Sequence, residues 1–176
     1  WAAYQQALES RRRTQDVTMP GRQVMSTSVQ VKDQRDEVVE TAIDLAPVLK
    51  NGLGHVVLVV EPPGMSQALR AQRVITWIQA TRIGLDAFVD DRELVGWASS
   101  LNDGHPLAGV QLSLDRATVT SDTQGLGRVA LPDDGASVLV ARLGDDMAML
   151  PRATSGYRVN GWSRTSKPDA VRWYVA

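Results

Sequence analysis

From about residue 79 to about residue 150 the chain meets a turn signal roughly every eight to twelve residues. The corners are Asn102-Asp-Gly-His-Pro106, Asp122-Thr-Gln-Gly125, Pro132-Asp-Asp-Gly135 and Gly144-Asp145. Such clusters turn for a physical reason: Asp and Asn oxygens bond nearby backbone N–H groups, Gly reaches positive φ, and Pro presets its own φ. Between the corners lie short apolar runs at Glu93 to Leu101, Val110 to Leu114, Ala117 to Ser121, Gly127 to Leu131, Ser137 to Arg142 and Asp146 to Leu150. Alternation puts Val110, Leu112 and Leu114 inward, and it is expected to put Val95, Trp97 and Leu101 on the inner face of the first run. With the run that precedes them, these make about seven short strands and predict an all-β chain folded as an antiparallel sandwich.

The first half has less to build with. Trp1 to Thr14 places Trp1, Tyr4 and Leu8 on one helical face with Arg11, Arg12 and Arg13 at its cationic end; a helix of about three turns and an interdomain segment both fit. After Pro20-Gly21 the period changes to two, with Met25, Thr27, Val29 and Val31 on one face, then Val39, Thr41, Ile43 and Leu45 beyond the charged turn Lys32 to Glu37. His55 to Val60 reads as a strand buried on both faces and ends at Pro62-Pro63-Gly64. A polar, partly helical loop, Met65 to Gln72, leads into Arg73 to Ile83, where Ile75, Trp77 and Ile83 are expected to face one way with almost no linker before the next module. These strands are few for a free-standing sandwich. Beyond Arg152 the chain is polar until Val171 to Val175, a strand with no partner of its own. The expected organisation is an N-terminal segment over 1–20, a partial β-domain over 21–78, a complete sandwich over 79–151, and a linker with the first strand of a following domain over 152–176. A start at Trp1 and ends that look cut through domains suggest a piece of something longer.

Composition narrows the chemistry. The 176 residues include no cysteine and two histidines, so disulfides, thiolate zinc sites and cysteine nucleophiles are excluded within the chain. Nineteen basic residues against twenty acidic give a formal charge of -1, which offers no general attraction to nucleic acid or anionic membrane. No stretch approaches the roughly 18 apolar residues of a membrane span. His55 opens an apolar strand and His105 sits in a turn; His105, Asp103 and a serine can be drawn as a relay, but no G-x-S-x-G elbow accompanies them. Asp90-Asp91, Asp133-Asp134 and Asp145-Asp146 offer oxygens that calcium would accept at turns, although Asp serves turns without any ion and no D-x-D-x-D-G loop is present. Gly125-Leu-Gly127 lacks the lysine of a phosphate loop, Arg11 to Arg13 reads as a solvated helix end, and the five tryptophans are too dispersed to stack bases. Trp77 and Trp97 are expected in core or inter-module packing. No catalytic, cofactor-binding or metal-binding residue is assigned, and no cofactor is expected.

One ordered set of motifs carries a resemblance. Ile83 to Asp90 is followed by Gly104, Pro106, Gly109, Leu112 and Leu114, then Asp122 and Gly125, then Val138 to Pro151 with Gly144-Asp-Asp146 inside it. This order resembles the macroglobulin-type domains of bacterial alpha-2-macroglobulins, where a GxPxxGxxVxL hairpin precedes a TDxxG turn and an LLVAxxGDDxAxLP strand pair. The chain departs at the middle motif, which reads Thr120-Ser-Asp122. The hairpin and turn also occur in carboxypeptidase-regulatory-like and invasin-type sandwiches; the run Gly144 to Pro151 makes the likeness more specific. The terminal Val171 to Ala176 is similar to the opening strand of the next domain in that family. The likeness is best over about 79–151, fair over 21–78 and poor before Pro20.

The resemblance implies an antiparallel seven-stranded, immunoglobulin-like or fibronectin-like macroglobulin sandwich with a partial second sandwich N-terminal to it. It further implies a non-catalytic scaffold fragment of a broad-range protease inhibitor, periplasmic or extracellular, with membrane anchoring through another part of the parent left open. Its implied partners are other domains of the same polypeptide and, through the parent, target proteases, with no nucleic acid and no membrane insertion by this piece. Family members that capture proteases covalently use a Cys-x-x-Gln thioester, which a chain without cysteine does not contain. A β-sandwich adhesin or surface-binding module, and an accessory β-domain of a hydrolase, remain the alternatives.

Overall fold

The computed structural model describes residues 2–12, 19–31, 36–64, 73–90, 92–136, 138–152 and 162. The chain divides into two compact units between Ala80 and Thr81. Among the described residues the first unit holds helix α1 (Ala2–Arg12), a single 3-10 turn at Ala46–Val48, and the antiparallel pair β1 (Gly54–Val60) and β2 (Val74–Ala80). In α1 the side chains of Tyr4 and Ala7 are buried, three positions apart on one helical face. Strands β1 and β2 pair in register from Gly54 opposite Ala80 to Val60 opposite Val74. The β-branched run of β1 is half-buried rather than enclosed on both faces, and among the described residues its sheet has two strands.

Two of the expected strands do not form. Met25 to Val31 and Val39 to Leu45 have the right alternation, yet neither joins a ladder, and Val24, Val29, Val31 and Val38 are exposed. A period of two selects one face for burial, but a strand also needs a neighbour for its backbone N–H and C=O groups. After β2 ends at Ala80, Ile83 opens the first strand of the second unit.

That second unit contains β3 (Ile83–Val89), β4 (Glu93–Ser100), β5 (Gln111–Leu114), β6 (Ala117–Thr120), β7 (Leu126–Ala130), β8 (Val138–Leu143) and β9 (Asp146–Pro151). They form a three-stranded sheet in the order β3-β4-β7 and a four-stranded sheet in the order β6-β5-β8-β9, antiparallel throughout. The chain crosses between sheets after β4, β6 and β7, while β5–β6 and β8–β9 are hairpins with two-residue loops at Asp115-Arg116 and Gly144-Asp145. Asp115 and Gly144 take positive φ there, which tight hairpin loops require of at least one central residue. Strand β3 lies beside β9 and β6 beside β7, so the sheet margins meet. Strand Val171 to Val175 lies outside the described residues; Trp162, ahead of it, makes an isolated bridge with Ala136.

The core between the sheets comes from alternate residues of facing strands: Ile83, Leu94 and Val129 from one sheet, and Leu112, Leu114 and Leu139 from the other, with Val110 beside them. At its centre two glycines stand opposite each other, Gly96 on β4 and Gly127 on β7. A Cβ added at Gly127 would sit 2.7 Å from Leu112 Cδ1 and 3.1 Å from Val119 Cγ2, and one at Gly96 would sit 3.0 Å from Leu112 Cδ1. The glycine pair thus leaves a depression in one sheet that the fully buried Leu112 of the other fills.

That arrangement also reverses the expected facing of β4. Leu94, Gly96 and Ala98 point inward, whereas Trp97 is 38% exposed on the outer surface with Phe88 and the Glu93–Arg128 ion pair, 2.8 Å long. The larger side chains of the run suggested the opposite face, but the inward one has to be thin where Leu112 enters. Leu112→Ala is therefore expected to cost about 2–5 kcal/mol of unfolding free energy. Gly127→Ala should cost about 1–3 kcal/mol by overpacking. The double variant should lose less than the sum, because the cavity accepts the added methyl; urea unfolding of the four proteins measures this coupling.

Candidate functional site

The histidine that invites a catalytic reading sits in the turn after β4. Asp103 Oδ1 accepts a hydrogen bond from the His105 backbone N–H at 3.2 Å and lies 3.4 Å from His105 Nδ1. The Ser100 hydroxyl accepts from the Asn102 backbone N–H at 3.3 Å. A serine relay needs the imidazole between hydroxyl and carboxylate, whereas here the hydroxyl serves the turn backbone. The Ser100 side chain first, and then the bond from the His105 backbone, hold the Asp103 carboxyl below its ordinary value, against a smaller opposing effect of desolvation. The His105 side chain is 80% exposed, so the cluster stands in water rather than lining a cleft. Its chemistry is that of a turn: carboxylate and hydroxyl occupy backbone donors that the loop leaves without strand partners.

The residues that spell the sequence motifs do converge. Gly104 N donates to Ser100 O and Ser100 N to His105 O, while Pro106 forms a bridge with Ser99. Leu107 N then reaches Ala98 O, and Ala98 N donates to Gly125 O at 2.8 Å, so the loop after β4 and the turn before β7 close on the end of one strand. Gly125 has a φ of +77°, and a Cβ there would collide with Ala98 O and approach Pro106 Cβ to 3.1 Å. Asp122 secures the turn from within, its Oδ1 accepting from Gln124 N at 2.8 Å and Leu126 N at 3.0 Å. Ser121, next to it and buried, accepts from Val110 N at 2.9 Å and donates to Leu107 O at 2.7 Å. Ser121 did not stand out in the sequence beyond its place between Thr120 and Asp122; its role follows from tying both ends of the 107–110 loop.

Two of the acidic pairs each supply a carboxylate that bonds backbone. Asp90 Oδ1 accepts from the Arg92 and Glu93 backbones, each at 2.7 Å. Asp146, largely buried, accepts from Thr81 Oγ1 at 2.7 Å and Arg82 N at 2.8 Å through its two oxygens. Thr81 Oγ1 accepts in turn from Ile83 N, so the start of β3 is tied to the start of β9. Asp133 and Asp134 are exposed. Among the described residues no group of three or more His, Asp or Glu side chains is placed to hold a metal ion, and no helix is long and apolar enough to cross a membrane. Asp91, Trp1, Trp173 and the side chains of Arg11 to Arg13 lie outside what the structure describes. Trp77, by contrast, is half-buried within the first unit between Tyr4 and His55.

No family model and no curated protein matches this chain. Solved structures do. The crystal structure of native alpha-2-macroglobulin from Escherichia coli spanning domains NIE-MG1 is 26% identical over 44% of this chain, with a TM-score of 0.42. The structure of the same protein spanning MG0-NIE-MG1 is 26% identical over 45% of this chain, also with a TM-score of 0.42. The matched region spans 40% of the first of those chains and 28% of the second.

Two outcomes are expected at this joint. Gly125→Ala should lower the stability of the second unit by about 2–4 kcal/mol, since it combines a positive φ with a backbone collision. Asp103→Asn should weaken the chain at neutral pH. Because the carboxyl is held below 3.8, its contribution is present above that value and disappears as acid protonates the folded form. The difference in urea midpoint between Asp103→Asn and the unsubstituted chain should therefore shrink as pH falls below 3.8.

Proposed function

We propose that this chain is a non-catalytic scaffold piece of a bacterial alpha-2-macroglobulin-like protease trap of broad range. The observation that carries the reading is the fate of its motif residues. Gly104, Pro106 and Gly109 meet Asp122 and Gly125 at one joint, and Asp146 of the Gly144 to Pro151 run anchors the opening of β3. All of them shape backbone, as expected of a module that bears load between other domains. The three-stranded and four-stranded sheets of the second unit supply the strands that a macroglobulin-type, immunoglobulin-like sandwich requires. The first unit is then part of a neighbouring module, and the partners are other domains of one polypeptide and, through them, the proteases caught. Such a trap works in the periplasm or outside the cell. With no cysteine, the piece contributes no thioester of its own.

The test is to incubate the longest polypeptide that carries this segment with trypsin, with and without methylamine, and to follow it on denaturing and native gels. Rapid cleavage at one region, a shift in native mobility and retained protease are expected. Slow, unfocused digestion with no shift and no retained protease would overturn the reading in favour of an adhesin-type binding module.

A further inference from the structure

The outer face of the β3-β4-β7 sheet presents an apolar strip to solvent. Strand pairing sets six of its residues in two rows: Asp86, Trp97 and Leu126 lie side by side, and Phe88, Val95 and Arg128 form the next row. Phe88 is 60% exposed and Trp97 38%. Val95 and Leu126 are half-buried and complete a band that runs from the Phe88 corner of this rectangle to the Leu126 corner. A contiguous apolar patch bordered by polar groups on a soluble domain marks a contact surface.

The charges select the occupant. Asp86 and Arg128 hold the two corners that the apolar band leaves, diagonally opposite each other. Asp86 spends Oδ1 on the Ala87 backbone N–H at 2.7 Å, so Oδ2 can take another donor. Arg128 gives Nη1 to Glu93 at 2.8 Å, and with its side chain 65% exposed its other N–H groups reach solvent. We infer that this face pairs two copies of the chain, Asp86 of each bonding Arg128 of the other across a shared apolar diagonal. Turned over about the Phe88–Leu126 diagonal, the rectangle meets its own complement: the charged corners exchange and the apolar band lies on itself. Two strand spacings and one two-residue step give sides of about 10 and 7 Å, a departure from square that an arginine side chain spans. A two-fold contact of this kind uses the same patch on both copies and so forms each ion pair twice. Six positions a side place it among small, reversible interfaces. The pairing is independent of any role of the parent as a protease trap.

Sedimentation equilibrium of the full chain from about 10 µM to about 1 mM reads the pairing, and a reversible monomer–dimer equilibrium is expected. Asp86→Lys alone sets cation against cation at both charged contacts, and Arg128→Asp alone sets carboxylate against carboxylate. Each should weaken dimerisation about tenfold. An equimolar mixture of the two variants has opposite charges at both contacts again, so heterodimers should form about as tightly as dimers of the unsubstituted chain. A monomer throughout the range, a dimer that both single variants leave intact, or a mixture no tighter than its components would overturn the pairing. Urea unfolding shows whether each variant folds. Should either fail, Phe88→Ser at its 60% exposed position takes over: loss of the dimer supports this face and its retention overturns it.

Discussion

Leu112 rests on a surface that has been cleared for it. Gly96 and Gly127 face each other across β4 and β7, and the absence of two Cβ atoms lets the opposite sheet bring a leucine against bare backbone. Much of the second unit follows from this. The flanking inward positions, Leu94, Ala98 and Val129, are set by the two-residue period that passes through the glycines. The outward positions then receive whatever remains, including Trp97 and Phe88. Glycine within a strand ordinarily weakens it, and here the loss is offset by depth of packing.

Around that apolar centre, the corners are held by short polar side chains acting on backbone. Ser121, Asp122, Asp90 and Asp146 each take at least two partners. Sandwich loops leave the ladder for a few residues at a time, and the groups they strand must be bonded or exposed to water. No buried side-chain nitrogen or oxygen among the described residues lacks a partner. Asp90 and Asp146, one from each of two acidic pairs that suggested an ion, answer this demand.

Turn chemistry made the second unit readable before its structure. Asp122 to Gly125 and Gly144-Asp145 act locally, so their residue types carry their conformations with them. Strand facing was less legible, because a run such as Glu93 to Leu101 has apolar residues on both phases and only the partner sheet decides between them. Trp97 misled for that reason: its size argued for burial, whereas the room for it lay outside. Met25 to Val31 misled differently, since alternation records a capacity to pair and says nothing about whether a neighbour is at hand. The His55–Trp77 contact had no signature at all; its members are 22 positions apart in sequence and meet only because β1 and β2 pair in that register. The Ser100, Asp103 and His105 cluster was visible as composition, but the order in which its groups touch, which sets its chemistry, was not.

The tie from Asp146 to Thr81 and Arg82 has a mechanical consequence. Tension arriving along the backbone ahead of Thr81 would otherwise unzip β3 from its outer end, one ladder bond at a time. With the carboxylate bonded to both residues, part of that pull passes into β9 before the first rung of β3 can open.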